Sequence, residues 1–111
     1  MREIYLSEEC EKYIIEESSE RVQNKFKYLL EVLENQKIVH TSFVEKLVNT
    51  KFYELKIKAE NQIRIIIFTI DNENFNEASK IILLNGFLKR TNKDYKKAVK
   101  FAEQLLLKYE L

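Results

Sequence analysis

Between Lys51 and Tyr95 the chain sets cations at spaced positions inside apolar runs, a pattern suited to holding an anion. Lys56 and Lys58 alternate with Leu55 and Ile57, Arg64 is the sole charge in the run 63–70, and Lys89 and Arg90 close the run that begins at Ile81. Arginine fits the task because its planar fork meets two oxygens at once and its charge survives any ordinary pH. A charge in the most apolar stretch of a chain must be paired or used. That makes Arg64 the first candidate for an anion contact and Arg90 the second, with Glu54 as the acid that would pair with Arg64 if its role were structural. Lys93, Tyr95, Lys96 and Lys97 follow directly.

Three strand-like runs must position these groups. In Phe52–Lys58 the residues after Tyr53 alternate, so Leu55 and Ile57 point one way and Glu54, Lys56 and Lys58 the other, which predicts a half-buried strand with a basic outer face. The run 63–70 is apolar at both parities, as in a central strand covered on both faces. The run 81–90 passes through Gly86, the chain's only glycine, where a bulge or a close backbone approach is expected. Polar turns at 59–62 and 71–77 make consecutive antiparallel strands the simplest arrangement. The charged ends at Lys56/Lys58, Arg64 and Lys89/Arg90 would then converge on one face.

Helices flank these runs. Glu3-Ile4-Tyr5-Leu6 reads as a short first strand, and Ser7 with Glu8 and Glu9 as a helix start. Cys10, Tyr13 and Ile14 give that helix a modest apolar stripe before Ser18-Ser19 interrupts it. Val22, Phe26, Leu29, Leu30 and Leu33 then mark a stronger helix, and the two form a hairpin packed on the sheet. Phe43, Val44, Leu47 and Val48 predict a short helical turn capped by Thr41 or Ser42. Thr91-Asn92-Lys93-Asp94 has the form of a capping box, after which Tyr95, Ala98, Val99, Ala102, Leu105, Leu106 and Tyr109 keep helical spacing to the end.

Composition narrows the function classes. One domain spanning residues 1–111 is expected, α+β in class, with a core that needs no disulfide or structural metal. A single cysteine and a single histidine cannot build an ordinary zinc site, so Cys10 reads as a small core residue and His40 as structural or exposed. Phosphate-cradling glycine loops, a Ser/His/Asp set and internal repeats are absent from the sequence. The longest apolar runs are strand-length and no secretory leader is legible, so a soluble cytoplasmic protein without membrane association is expected. The net charge of +1 conceals an excess of +5 in residues 51–100 that acidic flanks offset. Such a segment favours an anionic partner at one face, while the bland alternative is a set of solvated lysines guarding sheet edges.

The order helix, helix, strand, strand, strand, helix resembles the RelE/ParE toxins of type II toxin–antitoxin systems. Tyr53-Glu54-Leu55-Lys56-Ile57, Ile63-Arg64-Ile65 and Leu83-Leu84-Asn85-Gly86-Phe87-Leu88-Lys89-Arg90-Thr91 carry the likeness. The pattern is most similar to the HigB-like, phage-related branch, in which "LxELR", a later arginine, "LLxGFxKKT" and a C-terminal helix ending near a tyrosine recur. The resemblance covers about residues 45–109. It implies a small α+β fold, a twisted antiparallel sheet with helices on one side, the N-terminal hairpin and the C-terminal helix among them. It also implies a metal- and cofactor-free endoribonuclease that cuts mRNA on the ribosome, restrained by a small antitoxin with a helix-turn-helix. In that reading Lys56, Arg64, Lys89 with Arg90, and Tyr109 take the family's functional positions. Two departures stand out: Tyr95 replaces a frequent proline, and the terminal histidine of some members is missing.

Cleavage of that kind needs a base for the 2′-hydroxyl, cations for the charged phosphorane and an acid for the departing 5′-oxygen. Arg64 and Arg90 suit the second task. Lys56 or Lys58 is a candidate base and Tyr95 or Tyr109 a candidate acid or base-stacking surface, if neighbouring cations lower their pKa. Lys89, Lys93, Lys96 and Lys97 would bind RNA. For each lysine a phosphate anchor or a solvated charge is the reading preferred to proton transfer, and for Tyr109 helix packing is preferred. A ParE-like toxin that inhibits DNA gyrase, and a degenerate member that only binds an antitoxin, are the competing readings.

Overall fold

The computed structural model describes residues 1–111. Its elements are β1 (Glu3–Leu6), α1 (Glu8–Glu17), α2 (Glu20–Asn35), β2 (Val44–Lys46), β3 (Phe52–Lys58), β4 (Gln62–Thr69), β5 (Lys80–Leu88) and α3 (Asn92–Lys108), with a 3-10 turn at Phe75–Glu77. The strands form one sheet in the order β1-β5-β4-β3-β2. Strands β2 to β5 pair antiparallel, as the turn spacing implies, whereas β1 lies parallel to β5 and makes the sheet mixed. A parallel neighbour needs a long crossover, and everything from α1 to β4 supplies it.

Helices cover both faces, which corrects the expectation of helices on one side. One parity of the sheet, with Leu55, Ile57, Ile63, Ile65, Ile67, Ile81 and Leu83, packs on α1 and α2 through Cys10, Ile14, Val22, Phe26, Leu29 and Leu33. The other parity, with Phe52, Ile66, Ile82 and Leu84, packs on Ala98, Ala102, Leu105 and Leu106 of α3. Two-sided cover is what the unbroken apolar runs of β4 and β5 require.

Local chemistry sets the helix ends. The Ser7 hydroxyl accepts from Cys10 N–H at 2.9 Å and Ser19 accepts from Val22 N–H at 3.3 Å. Thr91 and Asp94 close a full capping box over the start of α3. The expected helical turn near Thr41 and Ser42 is instead an exposed turn, in which Ser42 N–H donates to His40 Nδ1 at 3.0 Å, followed by the short edge strand β2. Val44 drops into the α1/α2 core from an extended backbone, so tertiary pairing with β3 outweighs the helical spacing of these residues.

Gly86 answers both of its sequence readings. The register of β4 against β5 shifts between Ile66 and Ile67, leaving Leu84 as the extra residue of a bulge two positions before it. A Cβ on Gly86 would stand 2.3 Å from Tyr13 Cδ1 and 2.9 Å from Ile65 Cδ1, so α1 approaches the strand more closely than any other residue would permit. Arg2, which no pattern in the sequence marks, is buried and donates to Gln36 O and Lys37 O at 2.9 Å and to Ala78 O at 3.0 Å. A cation at the end of α2 complements the helix's unsatisfied carbonyls.

Candidate functional site

On the α3 side of the sheet, side chains fall into cross-strand rows. Glu45, Glu54, Ile66 and Asn85 form one, and Lys56, Arg64 and Phe87 the next. Lys58 and Gln62 form a third, which the 2.8 Å bond from Lys89 N–H to Gln62 O extends past the end of β5. α3 covers the first row through Ala98, whose carbonyl accepts from Asn85 Nδ2 at 3.1 Å, while the last row reaches solvent.

Within these rows like charges are neighbours, Glu45 beside Glu54 and Lys56 beside Arg64, an arrangement that costs energy when uncompensated. Compensation runs along the diagonals. Arg64 Nε lies 2.8 Å from Glu54 Oε1, and Lys56 Nζ lies 2.5 Å from Glu45 Oε1. Arg64 and Glu54 are only 4% and 6% exposed. The Nε contact is a charge contact lying off the line of a hydrogen bond. The rest of the guanidinium is occupied too, Nη1 donating to Ile63 O at 3.1 Å and Nη2 to Gln62 Oε1 at 2.9 Å.

Tyr95 seals this group from above. Its hydroxyl donates to Glu54 Oε1 at 2.8 Å, and its ring packs edge-on to Phe87 at 5.3 Å with Lys89 Nζ 5.8 Å away. Burial first, then the bond to Glu54, pushes its phenol up to about 12, so at neutral pH it is firmly a hydrogen-bond donor.

Several expectations change on this geometry. Arg64 does stand beside Lys56, yet it is locked beneath the surface in an acid pair and is no open clamp for phosphate. The cause is position, because β4 is central and the first turn of α3 lays Tyr95 across it. Tyr109 does not join the cluster, since it sits some fourteen residues along α3 from Tyr95, about 20 Å at the helical rise. Its hydroxyl donates to Glu9 Oε1 at 2.6 Å and accepts from Glu8 N–H at 3.1 Å, and Lys108 Nζ lies 2.6 Å from Glu9 Oε2. These bonds fasten the end of α3 to the start of α1. Lys96 and Lys97 diverge: Lys96 lines a groove with Leu47, Val48 and Val99, and Lys97 one with Arg90, Asp94 and Phe101 on the opposite flank of α3. One hundred degrees per residue separates them.

Lys56 is therefore gathered with Arg64 and Tyr95, and Lys58 and Lys89 lie at the solvent edge of the same face. Lys58, Lys89, Arg90 and Lys93 are exposed and form no ion pair. Arg90 begins the turn into α3, where its N–H donates to Asp94 Oδ2 at 2.7 Å. Sequence reasoning missed Glu45, because its segment reads as a helical turn, and Gln62, because it reads as part of a loop. Only the strand pairing brings them to the cations. No group of three or more His, Cys, Asp or Glu is placed to hold a metal ion, and no helix is long and apolar enough to cross a membrane.

The fold is α+β and RelE-like in architecture, and a charged cluster lies at the start of its last helix. The matches to solved structures agree. The E. coli toxin RelE in its free state, carrying two arginine-to-alanine substitutions, superposes with a TM-score of 0.59 at 22% identity, over 89% of this chain and 95% of that one. The intact E. coli RelBE toxin–antitoxin complex matches with a TM-score of 0.56 at 18% identity, over 82% of this chain and 100% of that one. The isolated E. coli RelE toxin gives 0.56 at 22% identity, over 90% and 97%. No curated protein matches. The family model for phage-derived Gp49-like proteins covers residues 14–107, and the chain belongs to that family.

Proposed function

We propose that this chain is the toxin of a toxin–antitoxin pair and an mRNA endoribonuclease that acts without a metal, of the HigB-like branch, in the cytoplasm and at the ribosome. The observation that carries the reading is the meeting of Lys56, Lys58, Arg64, Lys89 and Tyr95, drawn from β3, β4, the residue after β5 and the first turn of α3, on one partly open face. A cognate antitoxin, small and bearing a DNA-binding helix-turn-helix, is the expected partner, by analogy with the RelBE complex.

Roles are redistributed from those the sequence suggests. The exposed cations Lys58, Lys89, Arg90 and Lys93 meet the RNA backbone, which attracts them independently of base sequence. Lys56, only 16% exposed in its side chain, is the cation closest to the buried group and the one that would face a reacting phosphate. Arg64 acts through Glu54 and Tyr95 as a positioning residue. The phenol of Tyr95 offers a base-stacking ring beside Phe87 more readily than a proton.

The pairing of Arg64 and Lys56 with acids also favours the second reading, a protein-binding toxin of the ParE kind or a homologue that only binds an antitoxin, since neither needs a phosphate site. Mapping mRNA 5′ ends after induction in bacteria separates the two. New cuts that fall about tenfold or more in the Lys58→Ala/Lys89→Ala/Arg90→Ala variant support the nuclease. DNA damage without cuts supports the gyrase inhibitor, and growth unaffected by the free chain supports the degenerate homologue. Exposed cations are the better targets here because Arg64→Ala would strand Glu54 and confound folding with activity.

A further inference from the structure

Of the four charges on the two diagonals, one alone is free to leave. Glu54 is buried and accepts from Tyr95 while facing Arg64, and Arg64 is enclosed with it. Lys56 is mostly covered. Glu45 is different: it is exposed, it sits in the middle of the three-residue edge strand β2, and Lys56 Nζ is the one side-chain group bonded to its carboxylate. Its Oε1 lies 2.5 Å from Lys56 Nζ, the cation that would face an incoming phosphate, and the hydrogen bond from Lys56, then the charges of Lys56, Arg64 and Lys58, hold its carboxyl below the usual range. Carboxylate and phosphate oxygens accept the same charge-assisted bond from an ammonium group. Moving an exposed side chain between staggered rotamers costs little, and a surface ion pair holds it weakly.

We propose that Glu45 is a built-in competitor for the anion seat, whose carboxylate occupies Lys56 until an RNA phosphate displaces it toward solvent. The proposal rests on the RNA-directed reading above and adds a restraint at the same site. With Glu45 in place the two diagonals sum to zero charge, and attraction comes only from the solvent-edge cations Lys58, Lys89, Arg90 and Lys93. With Glu45 turned away, Lys56 becomes available in the row beside Arg64. Binding thus selects ligands able to replace a carboxylate on Lys56 over ligands that merely touch the basic edge.

Titration of the purified full chain with a fluorescent single-stranded RNA of about twelve nucleotides, across a series of salt concentrations, tests this. Glu45→Gln should bind about threefold to tenfold more tightly, and the slope of log K against log salt should steepen by about 0.7, one more phosphate contact on a single strand. Glu45→Ala should agree. Glu31→Gln on the exposed face of α2 makes the same change in net charge and should alter affinity by less than about twofold with no change in slope. Lys56→Ala introduced into Glu45→Gln should cancel the gain. RNA binding by the parent chain with no gain in Glu45→Gln, or with an equal gain in Glu31→Gln, overturns the proposal and leaves the RNA-directed reading standing. Absence of RNA binding in every variant overturns that reading, and this proposal with it.

Discussion

Glu54 and Arg64 are not opposite one another in the sheet. Lys56 faces Arg64 across β3 and β4, Glu54 faces Ile66, and the acid reaches the guanidinium along the diagonal at 2.8 Å. The pair is almost wholly buried. Charges taken out of water are costly, and their mutual attraction offsets the cost only while both are present. Glu54→Ala should therefore lower the unfolding free energy by about 3–5 kcal/mol, read from urea denaturation at neutral pH. Glu54→Leu combined with Arg64→Met should recover most of it. A loss under about 1 kcal/mol in the single variant would mean the guanidinium is solvated and available.

Tyr95 gives a pH signature. Its folded pKa, about 12, lies above the unfolded value, so its contribution is fully present below the unfolded pKa of about 10 and is lost as pH rises toward 12. The phenolate absorbance difference between wild type and Tyr95→Phe should accordingly be near zero at pH 10 and appear only above about 11. Tyr95→Phe should also cost about 1–3 kcal/mol at pH 7, since Glu54 loses a donor while staying buried. A difference titrating near 10 would place the hydroxyl in water.

Gly86 is a steric prediction. The methyl group of Gly86→Ala meets Tyr13 and Ile65 at distances real Cβ atoms do not tolerate, and α1 must shift. We expect a loss of about 1–3 kcal/mol, of which a large part returns when Tyr13→Ala makes room. Additive effects of the two substitutions would show that α1 is not seated on this bulge.

At the far end of α3, Tyr109→Phe should cost about 0.5–1.5 kcal/mol and, on the proposed nuclease reading, leave RNA cleavage unchanged. The hydroxyl binds Glu8 and Glu9, far from Lys56. A variant that folds normally but no longer cleaves would return Tyr109 to the chemistry.

Cys10 provides a check on the core. The thiol is fully buried and burial raises its pKa to about 12, so it should resist a disulfide reagent at pH 8 in the native protein and react at once in denaturant. Prompt reaction without denaturant would indicate that α1 opens from the sheet.

Much of this was readable from residue order. Alternation in 52–58, apolar continuity in 63–70 and 81–84, the Ser7 cap and the Thr91–Asp94 box each act within a few residues, so local rules located β3, β4, β5, α1 and α3. Where the rules failed, a distant partner decided. Val44-Glu45-Lys46 lies in a stretch whose apolar spacing reads as helical, and it becomes a strand because β3 offers an unpaired edge. β1 is legible as a strand, but its parallel union with β5 lies more than seventy residues away.

For the site, the sequence by itself determined which cations exist and that their strands adjoin, since short turns fix neighbours and the alternation of side chains fixes faces. Whether those cations are open or engaged was decided only by tertiary structure. Pairing of a short edge strand brought Glu45 to Lys56, the register of the central strands set Glu54 diagonally against Arg64, and a helix from the chain's end closed Tyr95 over both. Ion pairs of this kind depend on distances across elements that no local pattern encodes, which is why the same arginine that reads as a phosphate clamp in one dimension is a buried support in three.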